Sequence, residues 1–103
     1  MVLRKQDAGA PVAVHAASTV TIAVDEHPTT GFVWTVETLE GAVTLMSSSF
    51  APDPHGRPGA GGERRFEVRA DAPGSASLRL RYARRWEPPA ATAERLAFVF
   101  QIT

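Results

Sequence analysis

Residues 75–82 read Ser75-Ala76-Ser77-Leu78-Arg79-Leu80-Arg81-Tyr82, and this stretch decides the fold class. Apolar and polar side chains alternate along it without a break, which places the apolar ones on one face of an extended chain. One-sided alternation is typical of a strand in an antiparallel sheet that packs one face on a core and leaves the other in water. The stretch therefore predicts a β-strand whose inward side chains are Ala76, Leu78, Leu80 and Tyr82.

The same period of two recurs along most of the chain. It predicts further inward-facing sets at Val12 and Val14; at Val20, Ile22 and Val24; at Phe32, Trp34 and Val36; at Phe66, Val68 and Ala70; and at Leu96, Phe98, Phe100 and Ile102. Val2 and Leu3 offer an edge piece, and a weaker strand begins at Val43 and fades into the serines after Leu45. No segment has a helical period.

These strands, separated by turn signals, predict an all-β fold, an immunoglobulin-like β-sandwich of about seven antiparallel strands in two sheets. The 103 residues suffice for a single domain spanning residues 1–103.

Composition narrows the function classes. The absence of cysteine excludes disulfides, a thiolate nucleophile and cysteine metal sites, and the zero formal net charge argues against a bulk attraction to nucleic acid or anionic membranes. No run approaches the roughly 18 apolar residues of a membrane span. Residues 1–10 lack the apolar core of a signal peptide, so we expect either a cytoplasmic protein or a secreted or periplasmic one whose leader has been removed.

Three connecting segments interrupt the alternation. In the first, His27-Pro28-Thr29-Thr30-Gly31-Phe32, proline fixes its own φ and glycine permits backbone angles that other residues avoid. This combination predicts a rigid, projecting loop, although an ordinary β-turn has the same signature. Residues 51–62, rich in proline and glycine, predict a long exposed loop, and residues 84–93 predict another that exposes Trp86 or uses it to cap the sandwich.

The three segments resemble the motifs of the chagasin-like inhibitors of cysteine peptidases. That family carries Asn-Pro-Thr-Thr-Gly-Tyr/Phe, then Gly-x-Gly-Gly, then Arg-Pro-Trp/Phe, and the matching residues here are His27 to Phe32, Gly59-Ala60-Gly61-Gly62 and Arg84-Arg85-Trp86. Tyr82 stands where the family has an aromatic residue before the third motif, and the likeness covers nearly the whole chain. His27 replaces the family's Asn and Arg85 replaces its Pro, departures that bear on affinity more than on fold.

The resemblance implies a reversible inhibitor of papain-like cysteine peptidases, a thiol protease inhibitor whose three loops wedge into the active-site cleft from one end of the sandwich. It implies no catalytic residue, metal ligand or cofactor, and it makes the peptidase a protein partner of a chain that we expect to be monomeric when free. The residues that it assigns to peptidase binding are Pro28, Thr29, Thr30, Gly31, Phe32, Gly59, Ala60, Gly61, Gly62, Arg84 and Trp86.

Three other functions compete with this one. A non-inhibitory immunoglobulin-like interaction or adhesion domain has the same strand pattern, since fold does not imply function. An enzyme or metal site would have to use the histidines at 15, 27 and 55, but the neighbours Asp25, Glu26 and His27 point to alternate faces of an extended chain. A nucleic-acid surface would use Arg64, Arg65, Arg69, Arg79, Arg81, Arg84 and Arg85, although most of these alternate as solvated strand faces do.

Overall fold

A computed structural model describes residues 1–56, 61–88 and 91–103 of the chain. Within those residues the chain forms eight strands: β1 (Val2–Leu3), β2 (Pro11–Val14), β3 (Thr19–Glu26), β4 (Phe32–Glu40), β5 (Val43–Pro52), β6 (Gly62–Ala70), β7 (Gly74–Arg84) and β8 (Glu94–Ile102). Short 3-10 turns lie at Lys5–Asp7 and Pro28–Thr30. None of the described segments makes a helix of the length and apolarity needed to cross a membrane.

The strands form two four-stranded sheets, in the orders β1-β3-β6-β5 and β2-β8-β7-β4. The expected all-β sandwich is therefore confirmed, with two differences at the N-terminus. Val2–Leu3 is a strand of its own, which raises the number to eight, and both N-terminal strands pair in parallel, β1 with β3 and β2 with β8. Alternation along a strand does not reveal its direction, because the side-chain period is two in either case.

Most of the predicted inward residues make up the core between the sheets, whereas Val12, Phe32, Val36 and Tyr82 are half-buried. The large apolar side chains with at most 1% exposure come from four different strands: Ile22, Phe66, Leu78, Leu80, Phe98 and Phe100. Trp34 on β4 is 4% exposed, and its ring stacks on Tyr82 of β7 with the centroids 4.7 Å apart. Because each sheet supplies one apolar face, neither is stable alone and both are held by this shared burial.

The strand β5 is longer than the sequence predicts. It continues through Ser47 to Pro52 beside β6, so the connection expected over residues 51–62 is shortened at both ends. Pairing with β6 holds Ser47, Ser48 and Ser49 in an extended strand, which serine itself does not favour. Pro52 is tolerated because β5 is the edge strand of its sheet, where a missing N–H need not break a ladder.

Strand register brings three loops to one end of the sandwich. The end of β3 and the end of β5 both lie opposite the start of β6, since Glu26 and Pro52 each pair with Gly62. In the other sheet, the start of β4 lies opposite the end of β7, where Phe32 pairs with Arg84. The β3–β4, β5–β6 and β7–β8 connections therefore share one end, as the resemblance implies.

Candidate functional site

The β3–β4 connection, which we call the first loop (residues 27–31), is a single tight turn. Pro28 begins a 3-10 turn, and the backbone N–H groups of Thr30 and Gly31 donate to the carbonyls of His27 and Pro28 at 3.1 and 2.9 Å. Gly31 ends the turn in the left-handed region at φ 84°, which side chains other than glycine rarely adopt. Pro28, Thr29 and Thr30 are all exposed, so the turn forms a narrow projection.

Thr30 holds this turn closed through its side chain. Its hydroxyl donates to the carbonyl of His27 at 2.6 Å and accepts from the backbone N–H of Phe32 at 3.4 Å. These are local bonds that bridge both sides of the projection, which makes the loop stiffer than a turn held by backbone bonds alone.

The β7–β8 connection, the third loop (residues 85–93, of which 89 and 90 lie outside the described residues), lies against one side of the first. Its stem residue Arg84 donates from Nε to the carbonyl of Thr30 at 3.3 Å, and its guanidinium lies 4.6 Å from the ring centroid of Phe32. Trp86 is 74% exposed, so of its two predicted placements the exposed one is confirmed. The tip of its indole lies over Gly31, where an added β-carbon would stand 2.8 Å from Cη2.

The β5–β6 connection, the second loop (residues 53–61, of which 57–60 lie outside the described residues), contacts the first loop through Gly61, which lies against His27 at the end of the turn away from Gly31. Gly61 has φ 89°, and a β-carbon there would stand 2.8 Å from the carbonyl oxygen of Glu26 and would strike the ring of His27. Gly62 begins β6 opposite Pro52. The other two predicted residues of this motif, Gly59 and Ala60, lie outside the described residues.

An aromatic row supports the first loop from below. The rings of Phe32, Tyr82 and Trp34 lie side by side in that order. The ring centroids are 5.5 Å apart between Phe32 and Tyr82 and 4.7 Å apart between Tyr82 and Trp34. The Tyr82 hydroxyl accepts from the backbone N–H of His27 at 3.3 Å. The row connects the projecting turn to the core.

Glu26 and Arg64 form a buried ion pair that the sequence interpretation missed. Glu26 has 0% exposure and the Arg64 side chain 17%, with Nη2 of the arginine 2.7 Å from Oε1 of the glutamate. The signal was present, because position 26 continues the inward series Val20, Ile22 and Val24 and position 64 precedes the inward series that begins at Phe66. Charged residues at the inward positions of a strand indicate a buried ion pair, because a charge inside a protein needs a partner of opposite sign.

The remaining charges are mostly paired at the surface. Arg65 contacts Glu63 at 3.0 Å, Arg69 contacts Asp71 at 2.7 Å and Arg84 contacts Glu87 at 3.1 Å, so arginines that resemble a basic patch in the sequence have acidic neighbours. The hydrogen bond from Arg65, with a second from Arg4, holds the pKa of Glu63 below its usual value. In the described part of the chain no group of three or more His, Asp or Glu side chains is arranged to hold a metal ion.

Three loops meet at one end of the sandwich around a rigid projection, and this geometry is typical of proteins that bind another molecule by their loops. Residues 13–102 match the family described as Chagasin family peptidase inhibitor I42. The chain belongs to this family, which confirms the resemblance seen in the three motifs. Members of the family are peptidase inhibitors and not enzymes.

Solved structures share the fold at low sequence identity. The cysteine protease inhibitor EhICP2 from Entamoeba histolytica superposes with a TM-score of 0.84 at 18% identity, covering 99% of this chain and 93% of that one. Amebosin gives 0.82 at 21% identity, covering 99% and 96%. PbICP-C, solved in complex with falcipain-2, gives 0.67 at 11% identity, covering 100% and 90%. No curated protein matches this chain in sequence.

Proposed function

We propose that this protein is a reversible inhibitor of papain-like cysteine peptidases that inserts its three loops into the active-site cleft. The observation that carries the proposal is the exposed turn Pro28–Thr30, closed by Gly31 and contacted on both sides by the other two loops. A peptidase cleft is narrow, and a turn already fixed by proline, glycine and the Thr30 hydroxyl loses little conformational entropy on entering it.

Each loop has a distinct role in this proposal. The first loop enters the centre of the cleft and places Thr29 and Thr30 near the catalytic cysteine and histidine. The glycine motif of the second loop passes close to one wall, where side chains would clash. Trp86 of the third loop packs on the primed side, and its exposed indole is the kind of side chain that dominates binding hot spots.

Inhibition of this kind needs no chemistry by the inhibitor. The loop occupies the site without presenting a peptide bond in the geometry required for attack. Family membership favours this function over an adhesion or interaction sandwich of the same fold. The similar structures agree with it, since EhICP2 is a cysteine protease inhibitor and PbICP-C is in complex with falcipain-2.

The test is to titrate papain with the protein and to follow hydrolysis of a small fluorogenic substrate. We expect inhibition at micromolar concentration or below, recovery of activity on dilution, and an intact inhibitor by mass spectrometry after long incubation. A serine peptidase assayed in parallel should keep its activity. If papain and other papain-like enzymes keep full activity at micromolar inhibitor, the proposal is wrong, and the replacements at His27 and Arg85 become the first residues to revert.

A further inference from the structure

The two stems of the first loop lie in different sheets. The strand β3 belongs to one sheet and β4 to the other, so no backbone ladder joins the stems. In a hairpin, the backbone ladder would hold the two stems together. Here side chains link the stems instead. The indole N–H of Trp34 donates to the carbonyl of Asp25 at 2.8 Å, and a second, buried link is made by Glu26.

The Glu26 carboxylate connects three strands. Its Oε2 accepts the backbone N–H of Trp34 on β4 at 2.8 Å. Both oxygens accept from Arg64 on β6, at 3.1 and 3.2 Å from Nε and at 2.7 Å from Nη2 to Oε1. Glu26 is the last residue of β3 before the first loop, and Arg64 lies just beyond Gly62 at the end of the second. The buried Glu26 side chain thus joins both stems of the first loop to the start of β6, where the second loop ends.

This pair is a poor device for stability alone. Taking two charges out of water offsets most of their attraction, and apolar replacements of a buried pair are often neutral or stabilising. What a bidentate pair does supply is a fixed mutual geometry for the elements that carry it.

We propose that Glu26 and Arg64 are positioning residues that set the first loop against the second in the free protein, so that the wedge is already shaped before it meets a peptidase. The inference rests on the proposed function. Neither residue needs to touch the peptidase, because the Glu26 side chain is fully buried and the Arg64 side chain is only 17% exposed. If the pair is removed, only a fraction of molecules holds the competent loop arrangement, and the apparent affinity falls by that fraction.

The variant to measure is the double replacement Glu26→Gln/Arg64→Met. Arg64→Met alone would leave a buried carboxylate without its cation and would destabilise the protein whether or not the pair positions the loop. The glutamine keeps an oxygen for the Trp34 N–H while both charges disappear. Arg69→Met is the matched control, since Arg69 lies on the same strand, pairs with Asp71 at 2.7 Å and sits opposite Thr19 at the other end of β3.

We expect the double variant to keep the urea midpoint of the control while its inhibition constant against papain rises by about tenfold or more. The loss should appear in the association rate, because the contacts of the bound state are unchanged. In Trp86→Ala, which removes a contact, the loss should appear in the dissociation rate instead. In the free double variant, the amide hydrogens of Thr30, Gly31 and Trp34 should exchange faster with solvent than in the control.

Three results would overturn the positioning role. The first is amide exchange and association rates equal to those of the control. The second is a lowered urea midpoint with inhibition reduced only in proportion to the folded fraction. The third is a loss confined to the dissociation rate, as expected of a contact residue. If the parent protein fails to inhibit papain at all, the proposed function fails, and the amide exchange of the free variants alone decides whether the pair positions the loop.

Discussion

Gly31 shows how backbone geometry, rather than side-chain chemistry, sets the first loop. Its φ of 84° lies in the left-handed region, which costs a residue with a β-carbon about 1–2 kcal/mol. Because glycine has no β-carbon, the tip of the Trp86 indole can also occupy the space beside Gly31. The shape of the turn and the placement of the exposed tryptophan therefore depend on one position.

Gly31→Val is expected to abolish inhibition of papain, because a branched side chain must change the turn and displace Trp86. Thr29→Ala should weaken inhibition only moderately, since one hydroxyl contributes about 0.5–1.5 kcal/mol. Gly9→Val is the matched control, with φ 89° but no atom within 4 Å of an added β-carbon, and it should inhibit as the parent does. Inhibition constants and circular dichroism of all three variants measure this. A Gly31→Val protein that inhibits normally would show that this turn is not the insert.

Glu26 and Arg64 show what alternation can and cannot reveal about individual residues. Their positions, in phase with the inward faces of β3 and β6, indicate that both side chains point inward. Nothing in the periodicity says that they meet, or that the carboxylate also accepts a backbone N–H from β4. That requires the packing of one sheet on the other, which a pattern along a single strand does not contain.

Strands with a clear alternation could be predicted from sequence, and strands defined by their neighbours could not. The predicted inward residues of β3, β6 and β8 are buried as expected, as are Ala76, Leu78 and Leu80 of β7, whereas Tyr82 is half-buried. The strand β5 extends past Ser47 because β6 supplies its hydrogen-bonding partner, which the local sequence does not announce. The parallel pairing of β1 with β3 and of β2 with β8 likewise depends on where the N-terminal segment runs across the two sheets.

Truncation of a core strand side chain should destabilise the fold without touching the loops. Leu80 and Phe98 are both 0% exposed, so Leu80→Ala or Phe98→Ala should cost about 2–5 kcal/mol in the free energy of unfolding. Met46→Ala, on the exposed part of β5 at 51% exposure, should change it by about 0.5 kcal/mol or less. Urea unfolding followed by tryptophan fluorescence measures all three. An unchanged midpoint for Leu80→Ala would mean that this face of β7 is not the core face.

The arrangement of the whole sandwich explains why the three motifs could be placed together from sequence. Alternate connections of such a sandwich lie at the same end, so motifs on the β3–β4, β5–β6 and β7–β8 connections must meet there. The contacts between them were not predictable. His27 against Gly61 and Trp86 against Gly31 are side-chain contacts across loops, and their geometry follows only from the relative placement of both sheets.

Surface carboxylates paired with arginines give the whole molecule a stability that depends on pH. Hydrogen bonds from Arg95 to Glu37 and from Arg65 to Glu63 hold the pKa of each glutamate below its usual value of 4.5. Hydrogen bonds from the Thr44 hydroxyl and from Arg69 lower the pKa of Asp71 below 3.8. All three carboxylates are partly exposed, so water and salt screen each contribution.

Because these pKa values are lower in the folded than in the unfolded protein, the unfolded state binds more protons at acidic pH. Their stabilisation is fully present above the unfolded values near 4.5 for glutamate and 3.8 for aspartate, and it is lost as the pH falls through the folded values. The urea midpoint should thus be flat from pH 7 to about 5 and then decline towards pH 3. Adding about 1 M salt should make the decline shallower, because exposed pairs are screened. Glu37→Gln should remove part of the decline of the urea midpoint, since this replacement deletes one of the carboxylates whose protonation lowers the stability. A midpoint that stays constant down to pH 3 would show that these pairs contribute nothing to folding in solution.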